Sequence, residues 1–137
     1  NFDSADVVIM SAAVSDYRPS EYSSVKIKKV EQKMTISLSR NVDILSDLGD
    51  RKGPDQILVG FAAETTDILQ NAQQKLVVKN LDLIIANDVS AEGAGFDVDT
   101  NIVSVLDSRG QCDQFPLMSK HDVADQILNR IVQLFQK

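Results

Sequence analysis

Short apolar runs, each followed by small and polar residues, punctuate much of this chain. The runs cover residues 7–10, 57–59 and 83–85. Continuous apolar runs of this length are typical of parallel strands that are buried on both faces of a sheet. In an open α/β sheet, the ligand crevice lies beyond the carboxyl ends of the strands. We therefore expect the segments after the runs to meet at one edge and surround one ligand; they cover residues 11–19, 60–65 and 86–90.

Helical periodicity fills the interval between the second and third runs. Ile68, Ala72 and Leu76 recur every four residues, in a helix expected to begin near Thr66. The resulting strand–helix–strand order predicts a βαβ unit with parallel strands. The predicted fold class is therefore α/β, with a Rossmann-like, mainly parallel sheet and flanking helices.

An alternating pattern follows the first loop. Met34, Ile36 and Leu38 alternate with polar residues, which predicts a half-buried hairpin over residues 25–39 that acts as a flap. Asn41 then has the side chain of a helix N-cap. The short helix that it would open carries on one side Val42, Leu45 and Leu48.

The last third of the chain predicts a second hairpin and a long helix. Residues 102–106 and 114–117 flank a turn-forming segment at the margin of the sheet. Ser119 followed by Asp122 resembles a capping box that opens the last helix. The apolar stripe predicted for this helix consists of Val123, Ile127, Leu128, Ile131, Leu134 and Phe135.

Composition narrows the class of protein. A chain of 137 residues that is 43% hydrophobic suffices for one domain over residues 1–137. Its net charge of −6 argues against a general nucleic-acid or membrane-surface binder. No stretch has the length of a membrane span and no signal peptide is visible, so we expect a cytoplasmic protein. One cysteine and one histidine exclude an internal disulfide and a Cys/His zinc site.

The segment Gly60-Phe-Ala-Ala63 places a flat ring beside residues with almost no side chain. A planar base would fit against the exposed backbone groups of this segment. The alternative is a tightly packed strand end, in which Gly60 allows close approach of a helix and Phe61 lies in the core. The segment alone supports the two interpretations equally.

Charged residues near the expected crevice also have two interpretations each. Asp16 could bind a ribose, a base or a magnesium ion, but it is also a typical turn residue that would pair with Arg18. Lys26 and Lys28 project from one face of the predicted hairpin. Such a pair of cations suits a triphosphate, but it is equally typical of a solvated edge strand that is protected by lysines.

The third loop and the helix before it contribute weaker candidates. Asn87 and Asp88 either end the strand as a turn or contact a sugar or metal. Lys75 and Lys79 lie one helical turn apart, which is most simply a solvated helix face. No Ser/His/Asp constellation, Gly-x-Gly-x-x-Gly pattern or Walker loop is present, so hydrolysis through a covalent intermediate is not expected.

Together the motifs are far more specific than each alone. Four motifs occur in this order: Ala-Ala-Val-Ser-Asp-Tyr-Arg-Pro at 12–19, Lys-Ile-Lys-Lys at 26–29, Val-Gly-Phe-Ala-Ala-Glu-Thr at 59–65 and Lys-Asn-Leu-Asp-Leu-Ile-Ile-Ala-Asn-Asp-Val at 79–89. In order and spacing, the chain closely resembles bacterial phosphopantothenoylcysteine synthetase. That enzyme is the ligase half of a bifunctional coenzyme A biosynthesis flavoprotein.

The resemblance implies a ligase that joins 4'-phosphopantothenate to cysteine. The carboxylate of phosphopantothenate attacks the α-phosphate of CTP, and the amine of cysteine then displaces CMP from the acyl-cytidylate, with Mg²⁺ neutralising the triphosphate. Lys26 is implied as the catalytic lysine and Asp16 as a cytidine and metal ligand. The other implied nucleotide contacts are Ala12, Phe61, Ala62, Ala63, Asn87, Asp88, Lys75 and Lys79.

The family is dimeric, so the resemblance also gives the hairpin at 25–39 a role as a dimer arm. The family's N-terminal Gly-rich turn and its Ser-Asn-x-Ser-Ser-Gly segment are absent from the sequence, as is a flavin-dependent decarboxylase half. We therefore expect a fold whose N-terminal part is missing and a fragment without activity of its own. The alternatives are a Rossmann-like NAD-dependent oxidoreductase and a non-catalytic nucleotide-binding domain.

Overall fold

A computed structural model describes residues 1–28, 33–95 and 97–136. A single 3-10 turn at Phe2–Ser4 precedes the regular elements. These are, in chain order, β1 (Val7–Met10), β2 (Tyr17–Pro19), β3 (Leu38–Arg40), α1 (Ile44–Arg51), β4 (Ile57–Glu64), α2 (Ile68–Val78), β5 (Leu83–Asp88), β6 (Thr100–Asp107), β7 (Cys112–Ser119) and α3 (Lys120–Phe135).

The main sheet has five strands in the order β1-β4-β5-β6-β7. The pairs β1–β4 and β4–β5 are parallel, whereas β6 is antiparallel to both of its neighbours. Four of the five strands therefore point the same way. The predicted α/β class, the Rossmann-like, mainly parallel sheet with its flanking helices, the βαβ unit and the second hairpin are confirmed.

Residue parity divides the core of the sheet into two layers. Odd-numbered side chains of β4 and β5, such as Val59 and Ile85, pack with the buried face of α3. Even-numbered ones, such as Leu58 and Ile84, pack with α2 and with the partly buried leucines of α1. Each fully buried aliphatic side chain contributes about 1.5–3 kcal/mol, so both layers stabilise the sheet substantially. Odd and even positions on β4 and β5 therefore lie on opposite faces of the sheet.

A buried ion pair fastens α3 to the β6–β7 turn. Asp107 Oδ1 accepts hydrogen bonds from the backbone N–H groups of Arg109 and Gln111, and its Oδ2 accepts one from Arg130 at 3.1 Å. Arg130 Nε also lies 3.1 Å from Asp113 Oδ2, although its N–H is not aligned for a hydrogen bond. These contacts fix the position of α3 over the sheet.

The first strand departs from the prediction of full burial. β1 pairs with β4 on one side only, because it is the edge strand of the sheet. Its residues are consequently half-buried, and Ile9 is 41% exposed. The second and third runs, which have a strand on either side, are buried as predicted.

The hairpin predicted over residues 25–39 is wrong in its pairing and its burial. The strands that pair are β2 and β3, with Tyr17 opposite Arg40 and Pro19 opposite Leu38. Residues 25–28 and 33–37 contain no strand, and the predicted inward side chains Met34 and Ile36 are exposed. The alternating pattern puts Met34 and Ile36 on one face, but no apolar surface among the described residues covers that face. The remainder of the prediction, at residues 29–32, lies outside the described residues.

Two details of the helices also differ from the predictions. Asp43 rather than Asn41 caps α1, because its side chain accepts a hydrogen bond from the backbone N–H of Ser46, and Val42 precedes the helix and is exposed. In α3, Leu128 and Phe135 are about half exposed, while the other four predicted stripe residues are buried. The predicted N-cap role of Ser119 is confirmed, because Ser119 Oγ accepts from the N–H of Asp122; Asp122 Oδ2 accepts in return from the Ser119 hydroxyl and not from its backbone N–H.

Candidate functional site

The segments that follow the three apolar runs meet at the carboxyl ends of β1, β4 and β5, as predicted, but residues 60–64 and 86–88 are the last residues of β4 and β5 and not loops. The larger of two cavities there has a volume of about 650 Å³ and lies between this edge of the sheet and α3. We call it the α3-side cavity. Its walls include Ile9, Ala12, Phe61, Ala63, Asn87 and Ile127.

A second cavity of about 150 Å³ lies toward the N-terminus of α1, and we call it the α1-side cavity. It brings together Ala12, Asp16, Asn41, Asp43, Phe61 and Lys79. Ala12 and Phe61 line both cavities, so the two spaces share one wall. The α1-side cavity is polar and charged, whereas the α3-side cavity is lined mainly by apolar side chains.

The segment from Gly60 to Ala63 combines both interpretations offered by the sequence. A Cβ on Gly60 would lie 2.8 Å from Leu81 Cδ1 and 2.9 Å from Leu45 Cδ2, so Gly60 permits close packing, as in the structural interpretation. Phe61, however, is 36% exposed and lines the cavities instead of the core. The ring is therefore accessible from the site.

Asn87 and Asp88 lie on opposite faces of β5 because they are adjacent residues in one strand. Asn87 has the parity of the α3 face and lines the α3-side cavity. Asp88 accepts hydrogen bonds from the hydroxyl and backbone N–H of Ser90, and these bonds lower the pKa of Asp88 below its ordinary value. Asp88 thus forms the strand-ending turn and lies outside both cavities.

Carboxylates hold both candidate lysines, Lys75 in the last turn of α2 and Lys79 at its C-cap. Lys75 Nζ lies 2.6 Å from Glu64 Oε1 at the end of β4. Lys79 Nζ lies 2.9 Å from Asp43 Oδ2, at the N-terminus of α1 and beside the α1-side cavity. The hydrogen bond from the Lys79 ammonium lowers the pKa of Asp43 below its ordinary value. Neither lysine is the simple solvated residue that its spacing suggested.

Asp16 and Lys26 are both exposed, but only Asp16 lines the α1-side cavity. The turn pairing of Asp16 with Arg18 is wrong, because Arg18 donates instead to Asn41 Oδ1 at 2.8 Å and to the Arg40 carbonyl oxygen. Lys26 belongs to neither cavity lining in the described structure. A role for Lys26 therefore requires the segment that carries it to approach the site.

The sequence matches a family model over residues 1–135, described as the DNA/pantothenate metabolism flavoprotein C-terminal domain. The chain belongs to this family. Among the curated relatives, the coenzyme A biosynthesis bifunctional protein CoaBC of Bacillus subtilis is 52% identical over 97% of the chain and 32% of its own length. A cysteine/cysteine sulfinic acid decarboxylase from an unknown prokaryotic organism is 41% identical over 97% of the chain and 37% of its own length.

Solved structures agree with the fold of this member of the flavoprotein C-terminal domain family. A crystal structure of the C-terminal domain of a CoaBC protein superimposes with a TM-score of 0.77 at 38% identity, covering 98% of the chain and 57% of that structure. The chain therefore spans about a third of the length of the curated relatives and somewhat over half of the solved domain. Among the described residues, no helix is both long and apolar enough to cross a membrane.

Sequence reasoning missed three residues that organise the site of this family member. Asn41 donates to the Ser15 carbonyl oxygen at 2.6 Å and accepts from Arg18, which ties the first loop to the start of α1. Asp43 and Glu64 hold the two lysines. The available signal for Asp43 was its residue type directly before the helical segment, since Asp is a preferred N-cap residue.

A metal site built from protein side chains alone is not found in the described part of the chain, which contains no cluster of three or more His, Cys, Asp or Glu side chains. Mg²⁺ commonly binds through one or two carboxylates together with substrate phosphates and water. The exposed carboxylate of Asp16, which lines the α1-side cavity, fits that kind of site. Asp16 thus stays a predicted ligand of a nucleotide-bound magnesium ion.

Proposed function

We propose that this chain supplies the nucleotide-binding part of a CTP-dependent phosphopantothenate–cysteine ligase. In the proposed reaction, a carboxylate oxygen of 4'-phosphopantothenate attacks the α-phosphorus of CTP and pyrophosphate leaves. The cysteine amine then attacks the acyl carbon, loses a proton, and CMP leaves as the amide forms. Membership of the pantothenate-metabolism family supports this reaction, and 52% identity to a coenzyme A biosynthesis protein supports it further.

The shared wall between the two cavities is the observation that carries the proposal. Ala12 and Phe61 line both spaces, so ligands in the two cavities would be neighbours. Acyl transfer to a nucleotide requires the reacting carboxylate and the α-phosphate to be held about 3–3.5 Å apart. With the nucleotide in one cavity and the acyl substrate in the other, the reacting atoms would have to meet where the two cavities adjoin, at Ala12 and Phe61.

Residues of the α1-side cavity are assigned to the nucleotide. Ala12 and Phe61 flank the base, and Asp16 binds the ribose or the phosphate-bound Mg²⁺. Lys79 exchanges Asp43 for a phosphate oxygen, because a triphosphate carries more negative charge than one carboxylate. Lys26 stabilises the charge that develops on the phosphates, and this requires the segment that carries it to move toward the cavity.

Other partners belong to the same proposal. We expect a homodimer in which exposed apolar residues at 25–38 are covered by the second copy, and a flavin-dependent decarboxylase domain in the full-length protein. We also expect no turnover by the 137-residue chain alone, since it spans 57% of the solved CoaBC domain. Ligation should appear when the chain is assayed within its full-length protein.

The test is a ligation assay on the full-length protein that contains this chain, with phosphopantothenate, cysteine, Mg²⁺ and either CTP or ATP. The proposal predicts equimolar release of pyrophosphate and CMP with CTP, and much slower reaction with ATP. Calorimetric titration of the chain with CTP, ATP and NAD accompanies the assay. Binding of NAD without ligation would favour an oxidoreductase, and CTP binding without ligation would favour a non-catalytic domain.

A further inference from the structure

The α1-side cavity is lined by a cation that the sequence patterns did not single out. Arg40, the last residue of β3, lines this cavity and is exposed. Within residues 1–28, 33–95 and 97–136, its guanidinium makes no hydrogen bond and no ion pair. An arginine side chain carries several N–H donors and keeps its charge at physiological pH, so these donors are available to a ligand.

The second cation in the lining of this cavity is already engaged. Lys79 Nζ lies 2.9 Å from Asp43 Oδ2. The hydrogen bond from Lys79 is the main cause of the lowered pKa of Asp43, and the charge of Arg40 adds to it, so the guanidinium acts on the space beside Asp43. An anion that enters the cavity can bind Arg40 directly, whereas Lys79 must first give up its carboxylate.

The backbone of Arg40 is fixed although its guanidinium is not. Its carbonyl oxygen accepts a hydrogen bond from Arg18 Nη1 at 3.3 Å. The next residue, Asn41, donates through its side chain to the Ser15 carbonyl oxygen at 2.6 Å and through its backbone N–H to the Asp16 carbonyl oxygen at 2.7 Å. Arg40 is therefore held beside the loop of Asp16, and a group that is anchored in this way loses less freedom when it binds a ligand.

The size and charge of the cavity indicate what Arg40 binds. The cavity volume of about 150 Å³ is well below the roughly 300–1,000 Å³ of sites that enclose a drug-sized ligand, so this cavity holds only one part of a nucleotide. A planar guanidinium matches the oxygens of a phosphate group in a bidentate arrangement. The base and the ribose carry no negative charge that would attract it.

We infer that Arg40 donates hydrogen bonds to a phosphate group of the nucleotide. This inference rests on the proposed function and adds to it a residue that has no role there. Because Arg40 need not break an existing ion pair, it engages the phosphates before Lys79 exchanges Asp43 for one of their oxygens. A magnesium ion on Asp16, which lines the same cavity, offsets the charge of that carboxylate toward the phosphates.

The experiment compares Arg40→Gln, Arg40→Lys and Arg109→Gln in steady-state ligation by the full-length protein. Arg109 is the matched control, because it is an exposed arginine of the β6–β7 turn that lines neither cavity. We expect Arg40→Gln to raise the KM for CTP roughly tenfold or more and to leave the KM for cysteine unchanged. Arg40→Lys should lie between wild type and Arg40→Gln, since it keeps the charge but loses the bidentate geometry. The melting temperature should not change, because the side chain is exposed.

Two inhibitors identify the part of the nucleotide that Arg40 contacts. Inhibition by inorganic triphosphate should weaken in Arg40→Gln by about the same factor as the KM for CTP rises, whereas inhibition by cytidine should stay as in wild type. Equal weakening of the two inhibitors would place Arg40 against the nucleoside and overturn the inference. An unchanged KM for CTP, an equal effect of Arg109→Gln, or a lower melting temperature with a higher KM for every substrate would overturn it as well.

Direct calorimetry with CTP separates this inference from the proposed function. If the full-length protein does not ligate but binds CTP with an affinity that Arg40→Gln reduces, the phosphate contact stands and the reaction is wrong. If the protein ligates and Arg40→Gln is kinetically silent, the reaction stands and the assignment of Arg40 is wrong. Absence of both ligation and CTP binding rejects the two together.

Discussion

The layered core and the arm, which we define as residues 17–40, obey different rules. In the core, β4 and β5 are buried between helices, and their apolar side chains pack against α3 on one face and α2 on the other. In the arm, two three-residue strands pair at the base, and the described residues beyond them are exposed. Both regions carry alternating or continuous apolar patterns, yet only the core buries its pattern within this chain.

The contrast shows that an apolar pattern specifies a preference for burial but not the surface that provides it. Val25, Ile27 and Met34 are 74%, 64% and 67% exposed, which is unusual for apolar residues so close in sequence. Large exposed apolar patches mark surfaces that bind another molecule. The exposed apolar side chains of the arm are therefore a candidate surface for a partner.

The largest expected effect tests whether the arm takes part in chemistry. Lys26→Gln in the full-length protein should lower kcat for ligation about 10²- to 10³-fold, because it removes a cation proposed to stabilise charge on the phosphates. Pyrophosphate release measures the effect, and the melting temperature should stay unchanged because Lys26 is exposed.

Lys33→Gln provides the matched control, since Lys33 is another exposed lysine of the arm. It should retain nearly full activity. Equal activity of the two variants would contradict the catalytic role of Lys26 and restore the alternative of a solvated strand edge protected by lysines.

How far the sequence predicts the molecule follows the same division. Continuous apolar runs predicted the buried strands β4 and β5, and helical periodicity predicted the buried face of α3, because the residues that are buried there are close together in sequence. Edge position was not readable for β1, since it depends on which strands flank it. The N-cap of α1 shows a further limit of prediction from sequence. Asn41 and Asp43 both have side chains that can cap a helix, and Asp43 is the cap because Asn41 makes tertiary hydrogen bonds to Ser15 and Arg18.

The sequence grouped candidate residues that the structure separates, because Lys26, Lys75 and Asp88 line neither of the two cavities. The loops converge as the parallel strands require, yet Asn87 and Asp88 separate by parity. Strand boundaries decided this outcome: the apolar run ends at Ile85, whereas β5 continues to Asp88 and carries the alternation into the polar residues. The carboxylate partners of Lys75 and Lys79 lie 11 and 36 residues away in sequence, so spacing could not identify them.

An intermediate effect tests the packing that joins α1 to the end of α2. A Cβ on Gly49 would lie 2.0 Å from the Lys79 carbonyl oxygen, so Gly49→Ala must displace backbone. We expect a loss of about 2–4 kcal/mol in the free energy of unfolding, measured with denaturant. Gly53→Ala is the control, because its nearest neighbour would be 3.5 Å away and the change should stay within about 1 kcal/mol. Equal stability of the two variants would show that α1 does not pack against Lys79.

The smallest effect measures the ion pair where the arm enters the core. Asp43→Asn keeps an N-cap side chain but removes the charge that holds Lys79. Both side chains are partly exposed, so the loss of stability at pH 7 should be below about 1 kcal/mol.

The same ion pair predicts a pH dependence of stability. Because the folded pKa of Asp43 lies below its ordinary value of 3.8, the contribution of Asp43 to stability is present above that value and is lost as the pH falls through the folded pKa. Wild type and Asp43→Asn should therefore converge in melting temperature as the pH falls below 3.8 and through the folded pKa of Asp43, and Asp50→Asn, at an exposed position of the same helix, is the control. A gap between wild type and Asp43→Asn that persists at low pH would assign the effect to helix capping and not to Lys79.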